Sequence, residues 1–371
     1  MQTLPSPFHK KTRRAALFFW LAWLILQLTG CASVPEREFS DYLDLFEQVR
    51  KSSEVVLIDY AVAKKEALAL EQERDSIPYN RQSSFQTNRL VVPEDSIDDV
   101  AIRFKAWEII DAYNQSLVNL IAGNPGKTED KTKSLLRTII GFSSNALIGA
   151  AGDILPAFSA LKGIAKQVEM VYEKQKIIAI MTQVSPLISQ QFIATMRQDS
   201  TLFYQVRYGL NSYHYQQTTT QIGRKVAEFI KLAHSVSQAS RNKTVIPLMN
   251  AMNDKLVTVV RNANGDKFKV IALKAEFGNN DAPQTLAQLS NLKDQVLTLI
   301  EQAEQQNKNL DAYRQMLTSY VRMLNELDFQ LKIMLYAAQN QQTVEILGDN
   351  DFNKTVLRMR QAYLFYENSK L

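Results

Sequence analysis

The sequence predicts an all-α protein, an elongated helical bundle with long coiled-coil-like helices. Three observations carry this. First, Leu289, Leu292, Val296, Leu299, Ala303, Gln306, Leu310, Tyr313, Leu317, Tyr320, Leu324, Leu327, Leu331, Met334 and Ala338 recur at alternating spacings of three and four, with Gln306 the one polar member. Second, the same spacing runs through Phe39, Tyr42, Phe46, Val49, Ser53, Val56, Tyr60, Ala63, Ala67 and Leu70. Third, a strand-like pattern occurs in one short region only, near 256–273.

Taken in order, the first seam predicts a helix over 39–74. Pro78, Asn80, Ser83, Ser84, Asn88 and Pro93 then mark a polar loop over 75–94. Glu94, Asp95 and Asp98 favour the start of a second helix through their interaction with its dipole. That helix turns Ile97, Val100, Phe104, Trp107 and Ile110 inward and ends before Gly123-Asn124-Pro125-Gly126. Residues 138–163 read as an apolar helical hairpin. Asp153 is the one charge between Thr138 and Leu161, among Gly141, Gly149, Gly152 and several alanines. Small residues let backbones approach closely, in bilayers and in tight soluble bundles alike. The candidate membrane-contact residues here are Ile139, Ile140, Phe142, Leu147, Ile148, Ile154, Leu155 and Phe158. Asp153 at a bilayer centre would cost about 2.5–3.5 kcal/mol, which weighs towards a buried central hairpin.

The chain continues as helix to about Val184, and Pro186 ends or kinks it. A further helix spans 186–237, with Phe192, Met196, Phe203, Val206, Leu210 and Tyr213 in its seam. The register slips through the polar run Gln216–Gln221 before Ile222, Val226, Phe229 and Ala233 resume, which predicts a change in winding or a bend there. Around Asn264-Gly265, the stretches 256–260 and 267–273 read as a small β-hairpin, with a helix capped by Asn-Gly as the competing reading. The heptad helix follows at 286–340. Met316, Val321, Met323 and Leu335 widen its apolar face towards the end, so it packs against two or more helices. A last helix runs from about Asp351 to Tyr366.

The first thirty residues have the parts of an export signal. Lys10, Lys11, Arg13 and Arg14 precede an uncharged apolar run from Ala15 to Leu28, too short for a comfortable membrane span. The run ends in Leu28-Thr29-Gly30-Cys31, and Cys31 is the chain's one cysteine. These four residues resemble the lipobox of bacterial lipoproteins. The resemblance implies cleavage before Cys31, a diacylglycerol on its sulfur and an acyl chain, such as palmitate, on the new amino group. Ala32 follows where an aspartate would favour inner-membrane retention, which implies the outer membrane of a Gram-negative envelope, facing the periplasm. Several acyl chains anchor firmly where one is marginal. Residues 31–38 would then be anchor and tether, the seven residues after the cysteine reaching at most about 25 Å, and 39–371 the body.

Four of the chain's cations and no acid fall in residues 1–30, so the net charge of +5 leaves the body almost neutral and gives no reason to expect nucleic acid as a partner. The body has two histidines, His214 and His234, twenty residues apart on one predicted helix. It has no second cysteine, no His-Glu-x-x-His, no glycine-rich phosphate loop and no Gly-x-Ser-x-Gly. The cluster of Tyr204, Tyr208, Tyr213 and Tyr215 around His214 reads as packing. The expectation is therefore a protein without enzymatic activity, cofactor or metal. It would be held to membrane lipid through acylated Cys31 and act as a structural or partner-binding scaffold, meeting an envelope protein or a second copy through its helical surfaces. The alternative is a membrane-inserting protein using 138–161, since long helices flanking an apolar hairpin resemble in layout the pore-forming toxins of the cytolysin A type.

Overall fold

In the computed structural model, the described residues are 36–76, 98–121, 174–262, 278–340 and 349–370. They form a bundle of long helices, with no strand among the described residues. Helix α1 is Glu36–Ser76 and α2 is Asp98–Ile121. Helix α3, Lys174–Pro186, passes through a π-helical segment, Leu187–Ile193, into α4, Ala194–His234. A single turn, Gln238–Ser240, and a second π segment, Arg241–Val245, lead into α5, Ile246–Asn262. The 58-residue α6, Pro283–Asn340, and α7, Asp349–Ser369, complete the described chain. At 1.5 Å per residue α6 is about 87 Å long.

Helix α4 and α6 are the spine, packed antiparallel. Gln339 donates to Thr182 at one end (3.1 Å), Arg197 to Asn325 further along (2.7 Å), and Gln306 to Thr218 beyond that (3.2 Å). Helix α1 runs parallel to α4: Tyr60 stacks on Phe203 with centroids 4.4 Å apart, and Glu66 meets His214. Helix α2 runs against α1, with Trp107 between Phe46 (5.5 Å) and Phe192 (4.7 Å, edge-on at 85°). Such aromatic pairs add to the burial of their large apolar surfaces.

The core is divided. The larger cluster is built from α1, α2, α3, the first half of α4, the second half of α6, and α7, and holds Trp107, Tyr42, Tyr60, Tyr313, Tyr320 and Tyr366. The smaller cluster holds Ile222, Val226, Phe229 and Ala233 of α4, Val236 and Val245 from the turns, Met252 and Leu256 of α5, and Leu289, Val296, Ile300 and Ala303 of α6. The heptad residues are buried from Leu289 to Ala338, with Leu292, Leu299, Gln306 and Leu310 half-buried. Of the residues expected to widen this face, Met316 and Met323 are fully buried in the core, Leu335 packs against it half-buried, and Val321 is half-buried.

Two expectations are corrected and a third is narrowed. Residues 256–262 are not a strand: they continue α5, whose inward Met252 and Leu256 are one turn apart on a helical face. The partner stretch 267–273 lies outside the described residues. The polar run 216–221 neither unwinds nor breaks α4, which stays α-helical from Ala194 to His234. Of its side chains Thr218 is the buried one, and it meets Gln306 of α6 between the two cores. Pro186 ends the α-helical stretch of α3, and the helical run continues past it with a different winding. Proline cannot donate the hydrogen bond of the preceding turn, and the chain answers with a wider π turn directly after it, which carries Ile188, Ser189, Phe192 and Ile193 inward.

Candidate functional site

The sequence-predicted site residues, Leu28, Thr29, Gly30 and Cys31 together with the apolar residues of 138–163, lie outside the described residues. The structure does show where the chain enters and leaves those stretches. Phe46, Trp107 and Phe192 share a level, and α2 runs from there towards the start of α1: burial raises the pKa of the Tyr42 hydroxyl, while the neighbouring Asn114 side chain pulls it down. Thr182 pairs with Gln339 near the end of α6. The start of α1 at Glu36, the end of α2 at Ile121, the start of α3 at Lys174 and the end of α6 at Asn340 therefore share one end of the rod, called proximal here. Residue 31 precedes Glu36 by five residues, about 17 Å of fully extended chain.

Two polar clusters fix this proximal half. Arg103 donates from Nε and Nη2 to both carboxylate oxygens of Asp199 at 2.6 and 2.8 Å, clamping α2 to α4 in a fork geometry with both residues buried. From within the π segment, Ser189 donates to Asp328, which also accepts from Lys332 (2.9 Å) and pairs with Arg197 (3.5 Å).

A third cluster ties down the last helix. Asp59 of α1 accepts from Tyr366 and from Lys370, each at 2.9 Å, and meets Arg207 at 3.5 Å. Arg207 donates to the Tyr366 hydroxyl and lies over the Tyr313 and Tyr366 rings, 5.8 and 5.6 Å from their centroids. Lys370 sits 4.3 Å above the Tyr366 ring. Burial alone would pull the Arg207 guanidinium down, and Asp59 and Tyr366 more than reverse this. Burial first, then Asp59, drives the Tyr366 hydroxyl far above its ordinary range. With Glu367, which accepts from Lys370 at 2.6 Å, the cluster joins α1, α4, α6 and α7 and balances its charges, so its plain chemistry is cohesion.

The halves meet at a polar belt. Gln306 Nε2 donates to Thr218, whose hydroxyl donates to the His214 carbonyl at 3.0 Å. Gln305 donates to the Ser369 carbonyl at 2.6 Å, so α7 ends at this level. His214 is on the rim, paired with Glu66 at 2.9 Å and partly exposed. His234 is at the far tip of α4, where its carbonyl accepts from Gly278. At that tip the Gly278 backbone presses on Ser235, and a Cβ there would fall 2.1 Å from the Ser235 carbonyl oxygen. Asp281 accepts from the Ser237 backbone (3.0 Å) and hydroxyl, bonds that hold its carboxyl below the usual range.

Among the described residues, no group of three His, Cys, Asp or Glu could hold a metal ion. One described helix, Ile177–His234, is long and apolar enough to cross a membrane, and half of its most apolar stretch is buried inside the bundle. Among the described residues, the exposed large apolar side chains are Ile58, Val62, Tyr208, Phe329, Tyr336, Leu357, Leu364 and Phe365. Sequence reading passed over the buried ion pair, although its signal was present: Arg103 and Asp199 occupy seam positions, between Val100 and Trp107 and between Met196 and Phe203. No family model, no curated protein and no solved structure matches this chain.

Proposed function

We propose that this chain is an outer-membrane lipoprotein whose helical rod serves, without catalysis, as a scaffold for partners in the cell envelope. The single observation that carries the reading is the spacing between a lipobox-like cysteine and the body. Cys31 precedes α1 by five residues, so an acylated Cys31 would hold the proximal end of the rod within about 17 Å of its lipid. The larger core then lies at the held end, and the smaller core and the tip around Ser237 and Asp281 are left for other molecules. The two π segments and the polar belt suit a body whose parts keep fixed levels along an axis rather than one that encloses a substrate.

The test is substitution of the cysteine. The Cys31→Ala protein should lose incorporated palmitate and move to the soluble periplasmic fraction. Firm retention in membranes would end the reading.

The second reading, a membrane-inserting protein, is favoured by one observation. Residues 122–173, which carry the apolar stretch 138–161, leave α2 and rejoin α3 at the same end of the rod as the start of α1. Dye release from liposomes by the full chain would support it. Absence of release, with 138–161 cut by protease in the vesicle-bound state, would exclude it.

A further inference from the structure

Among the described residues, the outer face of α7 carries large apolar side chains that the fold leaves exposed. Its inner face is spoken for: Val356, Met359, Tyr366 and Ser369 are buried, and Ala362 and Tyr363 pack against the core. On the opposite side Leu357, Leu364 and Phe365 are each more than half exposed. At 3.6 residues per turn these three form one strip along the helix, with Gln361 between them and Lys354 in line. Arg358 and Arg360 fall on its two opposite borders, both exposed. No acid occurs between Asp351 and Glu367.

An apolar strip rimmed by arginines, on a helix whose polar positions carry cations and no anions over four turns, is the pattern of a helix lying in a lipid interface. The apolar residues enter the acyl boundary and the long cationic side chains reach back to the headgroups. An acid-free cationic rim also sets the sign of the partner. Each such cation near an anionic lipid surface gains roughly fivefold in binding, whereas it gains nothing of the kind on a neutral one. Helix α7 runs antiparallel to α6, with Tyr366 against Tyr313 and the Ser369 carbonyl on Gln305, and so lies along the proximal half of α6 as far as the belt.

We infer that the outer face of α7 is a second membrane contact, docking the proximal half of the rod lengthwise on an anionic bilayer. The inference rests on the anchor reading for its proximity to lipid, and its chemistry is carried by Leu357, Leu364, Phe365, Arg358 and Arg360.

The chain's one cysteine gives a direct test. With Cys31 acylated, Phe365→Cys supplies a single reactive thiol for a polarity-sensitive fluorophore, and Ala227→Cys, exposed on the distal half of α4, supplies the control. The full chain is reconstituted in vesicles of zwitterionic lipid alone, or with a third of anionic lipid. The account expects a blue shift and several-fold protection from aqueous iodide at 365 on anionic vesicles, no change at 227, and loss of the effect when Arg358→Glu and Arg360→Glu are added. An unshifted probe at 365, or an equal shift on zwitterionic vesicles, overturns it, and the first result would leave an acidic protein as the better occupant. Failure of the anchor reading shows itself separately, as a second labelled thiol at Cys31.

Discussion

The two halves of the rod share the same two helices and differ in what surrounds them. In the proximal half, α4 and α6 are walled by α1, α2, α3 and α7, with a buried Arg103–Asp199 fork, a Trp107 stack and tyrosines drawn fully inside. In the distal half, among the described residues, the same helices have α5 and two short turns for company. Their core is aliphatic apart from Phe229, and Ile230, Leu248, Met249 and Leu286 at its margin are only partly covered. One pair of helices can therefore hold two different stabilities along its length, because helical stability comes from tertiary packing more than from propensity. The Thr218–Gln306 layer marks the border, and Gln306 leaves its Oε1 buried without a hydrogen-bond partner there.

The largest expected effect breaks the proximal half. Asp199→Ala removes both hydrogen bonds of the buried Arg103 fork and should cost about 3–5 kcal/mol in a denaturant titration. Phe229→Ala opens a cavity in the distal core and should cost about 3–5 kcal/mol by the same measure. The loss should be confined to the distal half, with the near-ultraviolet signal of Trp107 retained at denaturant concentrations where the distal amides already exchange freely.

Alkali should separate the halves in the opposite order. Burial raises the hydroxyls of Tyr42, Tyr113, Tyr313, Tyr320 and Tyr366 above the ordinary value of 10.0, and all five are in the proximal core. The unfolded chain then loses these protons first. The stabilisation is complete below about pH 10 and is lost as pH rises through the interval up to the folded-state values, at about 1.4 kcal/mol per pH unit for each tyrosine in play. Proximal unfolding should steepen above pH 10, and Tyr320→Phe should flatten the slope by about one such increment.

Smaller still, Gln306→Leu removes the buried unpaired carbonyl and joins the two cores. It should raise stability by about 1 kcal/mol and bring the two transitions closer together. The smallest effect belongs to the exposed His214–Glu66 pair. Glu66→Gln should shift the midpoint by less than about 0.5 kcal/mol.

Most of the architecture was legible because helical periodicity is a local signal. The seams over 39–70 and 289–338 fall on α1 and α6, whose ends lie at Glu36, Ser76, Pro283 and Asn340. The polar run 216–221 and the polar Gln306 were each visible as anomalies, but only the antiparallel packing of α4 on α6 brings them face to face. The mistaken strand at 256–260 has a physical cause. Val257, Val259 and Val260 favour strands as isolated residues, whereas tertiary burial of Met252 and Leu256 decides for helix. The Asp59 cluster was hidden for a different reason: it joins residues 59, 207, 313, 366 and 370, and no spacing in the sequence announces such a meeting.

The account turns on one spine supporting a firm proximal half and a separately opening distal half. Native-state hydrogen exchange along α4 tests this directly. Amides between Met196 and Leu210 should exchange only through global unfolding, while those between Ile222 and Ala233 should exchange through a local opening at least tenfold more frequent and insensitive to Asp199→Ala. Equal protection along the whole of α4, falling together in that variant, would contradict it.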